Sequence, residues 1–463
     1  MTKITLGMTD QQLDTINSHL YPGDGKEAVA MLICGTRIGK IRHRLTVHEI
    51  VKVPYEACTR TESSVDWKIE SIVDKLEKAI DSGFCVIKAH SHPTSYPNFS
   101  PTDDQSDRDL LSTLRSWQDD DEYLGSIVIL PNETIFGQVL PPGSKEFVNI
   151  DNVSVAGSIF QFMCSPGPKK ETTNQTGASH RQAFGDMTFE KMSNLCVCVV
   201  GCSGTGSPVI EQLARLGVGE IILIDDDHVE AKNLNRIVNA TEEDATENKP
   251  KVHVLADAIK RMGTGVAVHT LKSNLAAPDA IKLAAQADVI FGCVDSHEGR
   301  FVMNCISTYY SIPYIDTGVL LEADGLGGIK DISGKINYVI PGGSSLLSRG
   351  LISMERVKEE GLKRTNPEMY EQQKGEGYIL GSDQPRPAVI SVNFFAAAMA
   401  VLELLNRIHP YRYETPNFYN ESTFTLTDLE IHNESCTEPC MAFFKMVGRG
   451  DTIPLLGQPQ FQE

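Results

Sequence analysis

The sequence predicts an α/β protein of two domains: an N-terminal α+β domain, then a doubly wound, mostly parallel sheet. Three observations lead there. From Leu195 onward, short apolar runs alternate with helical periodicities, strand then helix, as in a sheet covered on both faces. The first 150 residues instead carry several strand-like runs and only two helical stretches. Between the two lies CSPGPKKETTNQTGAS, residues 164–179, small and polar with two prolines, which is the composition of a linker. The expected division is 1–150, 151–179 and 180–463, with the boundary anywhere from about 150 to 180, and 463 residues suit two or three domains.

A hydrophobic content of 41% is enough for real cores, and a net charge of −19 argues against nucleic acid or an anionic membrane as partner. The start, MTKITLGMTDQQ, has no apolar run of signal-peptide length, and no apolar stretch of membrane-spanning length is read anywhere. The eleven cysteines are odd in number and scattered, so reduced thiols in a cytoplasmic protein are expected. No tandem repeat is visible.

In the front domain, EAVAMLIC from Glu27 is a strand, as is the region from Arg42 to Val53. Ile69, Ile72, Val73, Leu76 and Ile80 give Trp67 to Ile80 a helical period. A buried strand, Phe84 to Ala89, ends in His90-Ser91-His92-Pro93. The loop SYPNFSPTDD follows, then a helix from about Gln105 to Trp117 and a strand from Ser126 to Leu130. Two histidines two apart on an extended segment point to one side, so both imidazoles can reach one metal. Asp103, eleven residues after His92, can be the third ligand. Three N/O ligands and an open position describe a catalytic zinc site, which also needs a general base and an oxyanion donor. H-S-H-P with Ser100 and Asp103 resembles the JAMM/MPN zinc isopeptidases, which share a cytidine-deaminase-like fold and cleave at the C-terminal glycine of ubiquitin-like proteins. The resemblance covers residues 1 to about 150. It implies His90, His92 and Asp103 as zinc ligands, Ser100 as oxyanion donor and Glu27 as general acid/base.

In the rear domain, LCVCVV is a strand, and Gly201, Gly204 and Gly206 break it. A helix follows, with Ser207 as its expected cap and Val209, Ile210, Leu213, Ala214 and Leu216 as its apolar positions. Gly217 and Gly219 stop it, Ile221 to Ile224 is the next strand, and Asp225 and Asp227 sit at its carboxyl end, where a nucleotide-binding βαβ unit holds a ribose. The dinucleotide fingerprint is imperfect, because Ser203 stands where it needs glycine. Asn233, Arg236 and Lys251 come next, then a helix, Val252 to Met262, and a strand, Val266 to Leu271. Ala287 to Cys293 is another strand, ending near Asp295. A helix with Arg300, Asn304 and Cys305 leads to Ile312 to Ile315 and Asp316. Carboxylates beside Arg and Lys suit a nucleoside triphosphate with Mg²⁺ better than a dinucleotide.

DDDHVEAKNLNR, then P-K-V and C-V-D-x-x-x-x-R, resemble the ThiF/MoeB-like adenylyltransferases, Rossmann-like relatives of the ubiquitin-activating enzymes. The resemblance covers about residues 180 to 410. It implies ribose at Asp225, phosphates at Asn233, Arg236 and Lys251, and Mg²⁺ at Asp295. HRQAFG resembles the family's entry helix, which implies a homodimer with Arg181 reaching the partner's ATP. The sequence departs from the family where many relatives carry two Cys-x-x-Cys pairs around a structural zinc: PGGSSLLSRG has Ser345 and Ser348 there, leaving Cys436 and Cys440 as half a site. No cysteine lies between Cys305 and Cys436, where a thioester-forming one is usual, which fits either adenylation without a thioester or an engineered replacement of cysteine by serine. Residues 350–385 read as a long mobile loop, Pro387 to Arg407 as a pure core helix, and the tail after Gly448 has no readable function.

Together these resemblances imply a bifunctional enzyme of a bacterial ubiquitin-like pathway. One domain would trim or release a ubiquitin-like protein at its C-terminal glycine, and the other would adenylate the exposed carboxylate with ATP-Mg. The alternatives are activation of a sulfur-carrier protein for cofactor biosynthesis, and a non-enzymatic scaffold that binds a ubiquitin-like partner.

Overall fold

The computed structural model describes residues 2–117, 122–165, 178–375 and 389–461, without the side chains of 178–181, 183 and 184. The chain forms two compact units. The first is Met1–Lys170 with Tyr309–Ser311 and Met446–Ile453, and the second is the remainder.

The first unit has strands β1 (Lys3–Thr9), β2 (Val29–Ile38), β3 (Arg42–Lys52), β4 (Cys58–Arg60), β5 (Val65–Trp67), β6 (Cys85–Ser91), β7 (Leu124–Ile129), β8 (Ile135–Leu140), β9 (Val148–Asn149), β10 (Asn152–Ala156) and β11 (Gln161–Cys164). β4 and β5 pair with each other, and the rest form one sheet in the order β11-β10-β1-β3-β2-β6-β7-β8-β9. Alternation along β2 explains the layers. Val29, Met31 and Ile33 face helices α2 (Val73–Asp81) and α3 (Pro101–Arg115) through Leu76, Ile80, Leu111 and Leu114. Ala28, Leu32 and Cys34 face α1 (Asp10–Leu20) through Leu13, Ile16 and Leu20. α1 starts at Thr9, whose hydroxyl accepts from Gln12 N while the Gln12 side chain accepts from Thr9 N.

Three expectations change here. The linker does not begin at 151, because β10 runs parallel to β1 from Asn152 to Ala156 and β11 returns beside it; residues 166–177 lie outside the described ones. The helix expected from Trp67 begins only at Val73, because Trp67 is spent on the β4–β5 ladder opposite Cys58. Of the tail beyond Gly448, the part up to Ile453 belongs to the first unit. Gly448 O accepts from Gly35 N at 3.2 Å and from Thr46 Oγ1 at 3.0 Å, and Val447 O lies 2.7 Å from His48 Nδ1. Asp451 pairs with Arg37 at 2.8 Å and accepts from the Tyr310 hydroxyl at 2.6 Å, while the buried Arg44 guanidinium donates to the carbonyls of Tyr310 and Ser311.

The second unit has helix α4 (Ala178–Asn194), then β12 (Cys196–Val200), α5 (Gly206–Arg215), β13 (Glu220–Ile224), α6 (Glu242–Thr246), α7 (Lys251–Met262), β14 (Ala267–Leu271), α8 (Pro278–Ala284), β15 (Val289–Gly292), α9 (His297–Tyr309), β16 (Tyr314–Ala323) and β17 (Ile329–Val339). α10 (Met354–Thr365), α11 (Pro367–Gly375), α12 (Ile390–Ile408), β18 (Glu421–Thr425) and β19 (Glu430–Glu434) complete it. The sheet order is β14-β13-β12-β15-β16-β17-β18-β19, parallel as far as β16 and antiparallel beyond. The doubly wound expectation holds. The order reverses between β12 and β15, and the crevice beyond their carboxyl ends is the usual ligand site of such a sheet.

Residues 354–375 form two helices rather than a mobile loop, and 376–388 lie outside the described residues. α12 is long and apolar enough by length and composition to cross a membrane, contrary to the expectation. It is packed as a core helix, with Val392, Ala396, Ala397, Ala400 and Leu404 buried, and it also buries Asn393 and the Glu403–Arg407 ion pair at 2.6 Å.

Candidate metal centre and nucleotide cleft

His90 lies on β6, His92 directly follows its last residue, and Asp103 lies in the first turn of α3. Their ligand atoms form a triangle: His90 Nε2 to His92 Nε2 3.2 Å, His90 Nε2 to Asp103 Oδ1 3.3 Å, His92 Nε2 to Asp103 Oδ2 3.4 Å. Tetrahedral ligands on bonds of about 2.05 Å stand about 3.3 Å apart, so the edges suit zinc. The outer contacts suit it too. His92 Nδ1 lies 2.9 Å from the Tyr96 carbonyl, a donor's place that leaves the Nε2 lone pair for a metal. Ser100 is the N-cap of α3: its hydroxyl accepts from Asp103 N at 3.1 Å and donates to Asp103 Oδ2 at 2.6 Å, and its amide donates to the same oxygen at 2.7 Å. The expected oxyanion donor therefore has its hydrogen on Asp103 here. α3 begins at Pro101, earlier than expected, because this capping box fixes its start.

Burial opposes the Asp103 carboxylate, but the two imidazoles and Ser100 hold its carboxyl well below the usual range. Burial and the Lys88 charge lower the His90 pKa; at His92 burial works the same way, but Asp103 and the Tyr96 carbonyl outweigh it and raise the value. Glu27 is buried just before β2, whose Val29 stands opposite His90. Burial, with Asp103 adding to it against the charges of His92 and Lys88, pushes its carboxyl up to about 7. The sequence reading missed the buried pair between Lys88 on β6 and Asp107 on α3. A lysine inside a strand buried at every position was the available signal.

In the second unit, a cleft of ≈ 1510 Å³ beyond β12, β13 and β15 is lined by Gly201, Ser203, Gly204, Asp225, Asp227, Asn233, Arg236, Lys251 and Asp295, so the fold gathers the expected residues. Gly201 has φ 90°, and a side chain there would meet the Cys293 carbonyl at 2.5 Å. Ser203 is not among the residues with positive φ, so its backbone needs no glycine. Gly206 starts α5. Ser207 is not the cap: its hydroxyl accepts from Val238 N at 3.0 Å.

Asp225 ties the turn together, accepting from Cys202 N at 2.6 Å and Asp227 N at 2.9 Å. Burial raises its pKa against the pull of Lys251. Lys251 Nζ lies 2.6 Å from Asp227 Oδ2 and 3.8 Å from Asp225 Oδ1. Asn233 is buried and accepts from Glu230 N at 3.2 Å, so one of its roles is to cap the local turn. Arg236 is half-buried and, among the described residues, donates to its near neighbours Lys232 O and Asn235 Oδ1. Asn393 is a missed residue: a side chain on Gly204 would lie 2.3 Å from its Nδ2, so α12 is not pure core. Arg300, the last residue of the C-V-D-x-x-x-x-R motif, had no role assigned; it pairs with buried Asp316 at 3.1 Å on the cleft wall. The Arg181 side chain lies outside the described residues.

The loop expected to lack cysteines is closed by hydrogen bonds. Ser345 and Ser348 bond each other reciprocally, Ser344 Oγ donates to Cys436 O at 2.6 Å, and Cys440 N donates to Gly343 O at 2.9 Å. The half-buried Arg349 guanidinium joins Ser344, Asn337, Tyr338 and Asn420.

A family model described as the ThiF family matches residues 178–440, more than half of the chain, and the chain belongs to that family. A second, described as prokaryotic homologs of the JAB domain, matches residues 9–138, so the N-terminal part of the chain carries a JAB-like domain. The chain is 36% identical over 129 residues to the adenylyltransferase and sulfurtransferase MOCS3 of Danio rerio, covering 28% of each chain. It is 26% identical over 190 residues to ubiquitin-like modifier-activating enzyme 5 of Drosophila ananassae, covering 38% of this chain and 45% of the relative. It thus spans less than half the length of these two relatives. Among solved structures, E. coli MccB with MccA-N7isoASN is 20% identical, with a TM-score of 0.46, covering 59% of this chain and 75% of that one.

Proposed function

We propose that the chain is a bifunctional enzyme acting on both sides of one glycine. The JAB-like half cleaves after the C-terminal glycine of a ubiquitin-like protein, and the ThiF half adenylates the carboxylate so exposed. The observation that carries this reading is the presence in one chain of the His90–His92–Asp103 triangle and of a cleft that combines Asp225, Arg236, Lys251 and Asp295.

His90, His92 and Asp103 would hold zinc, which when bound supplies a water with its pKa lowered to about 7. Glu27, with a carboxyl near 7, is suited to take up a proton and return it to the leaving amine. Ser100 keeps Asp103 oriented and, once its hydrogen leaves Oδ2, can donate toward an oxyanion. In the cleft, Lys251, Arg236 and Asn233 would take the phosphates of ATP, Gly201, Gly204 and Gly206 would let the backbone approach them, and Asp225 would take the ribose. Asp295 would hold Mg²⁺, which keeps most of its ligands as water and phosphate oxygens. A glycine carboxylate oxygen then attacks the α-phosphorus and pyrophosphate leaves, giving an acyl-adenylate. A homodimer in which Arg181 reaches the partner's ATP is part of the proposal. So is a cytoplasmic site.

A second reading is activation of a sulfur-carrier protein, favoured by the name of the MOCS3 relative. Pyrophosphate exchange that depends on a glycine-terminated ubiquitin-like protein, with cleavage of an extended form lost in Glu27→Ala, supports the paired reading. Exchange with sulfur carriers alone and no cleavage of any extended protein supports the second. Neither activity with any such protein leaves the scaffold reading.

A further inference from the structure

We infer that Lys88 and Asp107 are a positioning pair that fixes the helix carrying Asp103 against the strand carrying His90 and His92; this rests on reading those three residues as metal ligands. Lys88 and His90 share one face of β6 and His92 follows one residue beyond its end, at about 6.7 Å per step of two residues. Asp103 and Asp107 are one turn apart on α3, about 6 Å along its axis. The two spacings nearly match, and the two elements meet as a ladder: His90 and His92 reach Asp103 at 3.3 and 3.4 Å, and Lys88 reaches Asp107 one rung further in.

The pair is poorly explained by stability alone. Lys88 and Asp107 are both buried, and Asp107 Oδ2 has no hydrogen-bond partner among the described residues. A half-satisfied carboxylate in a core is costly, and apolar side chains of the same size usually fill such a place as well or better. What an ion pair adds is direction. Leu111 and Leu114 would hold α3 on the sheet across a range of rotations and slides, whereas Lys88 Nζ on Asp107 Oδ1 selects one. Ser100 orients the Asp103 carboxylate from the N-terminal side, and the Lys88–Asp107 contact sets the helix axis from the other. Metal affinity is sensitive to such outer contacts, because ligands held off their bonding positions must be moved at the expense of binding.

The test is a Co²⁺ titration of the full chain followed by the visible absorption of the bound ion, with melting temperature recorded in parallel. Lys88→Met alone leaves a buried carboxylate and can fail to fold, so the informative variant is Lys88→Met with Asp107→Leu. The expectation is a melting temperature equal to or above that of the unaltered protein, a Co²⁺ affinity weakened about 10- to 100-fold, and a shifted spectrum. Asp107→Asn, which keeps the shape, should move affinity in the same direction. Unchanged affinity and spectrum in the double variant would overturn the positioning role while leaving the metal reading intact. If the unaltered protein and His92→Ala take up Co²⁺ alike, the metal reading falls and the positioning role with it.

Discussion

At Glu27 burial and the neighbouring Asp103 outweigh His92 and Lys88, and the carboxyl is pushed up to about 7 from 4.5. A carboxyl with a raised folded pKa costs stability as pH rises from its unfolded value through its folded one, and the cost is constant above that. Glu27→Gln should therefore stabilise the metal-free protein by roughly 2 kcal/mol at pH 8 and leave it unchanged at pH 4, read from denaturant midpoints. Equal shifts at the two pH values would contradict the account of this group. The same substitution should lower cleavage of an extended ubiquitin-like protein by about 10²- to 10⁴-fold. Lys251 stands between two carboxylates of unequal exposure. Lys251→Met should lower pyrophosphate exchange by about 10²-fold or more. Asp227→Asn, which breaks only the exposed pair, should change stability by less than about 1 kcal/mol in a melting experiment.

At the level of elements, the segment Met446–Ile453 is hydrogen-bonded to β2 and β3 of the first unit. Its removal leaves Gly35 N, Thr46 Oγ1 and His48 Nδ1 without their carbonyls and Arg37 without Asp451. A chain ending at Lys445 should lose protection from hydrogen exchange along β2 and β3 and melt lower by at least about 5 °C; unchanged exchange there would refute a structural role. Nothing in MVGRGDTI announces this, since the contacts run through backbone carbonyls and have no periodicity to read. By contrast His90, His92 and Asp103 were legible, because strand alternation and a short loop dictate their convergence. The capping boxes at Thr9 and Ser100 were legible in principle, in T-D-Q-Q and S-P-T-D. The strands at 152–164 were hidden because β10 pairs with β1, far off in the chain, and β11 only with β10. Asn393 was hidden by the apolar run around it, where one amide among alanines and phenylalanines reads as a core position.

Across the whole molecule, the proposed function has two chemistries share one substrate atom, the carboxyl carbon of a terminal glycine. The doubly wound sheet and the His-x-His strand were readable from the chain because each is set by local pattern, whereas the division into units was not, since two segments distant in sequence join the first. The two activities should be separable: a zinc-selective chelator should abolish cleavage and leave pyrophosphate exchange with an already trimmed substrate unchanged. The most direct measurement is the intact mass of a ubiquitin-like protein carrying a short extension beyond its glycine, followed with the full chain and ATP-Mg alongside pyrophosphate release. Loss of the extension is expected first and pyrophosphate release only after it, with Glu27→Gln blocking both for the extended protein and leaving pyrophosphate release from the trimmed one unchanged. Pyrophosphate release from the extended protein without trimming, or none from the trimmed protein, would contradict the proposed function.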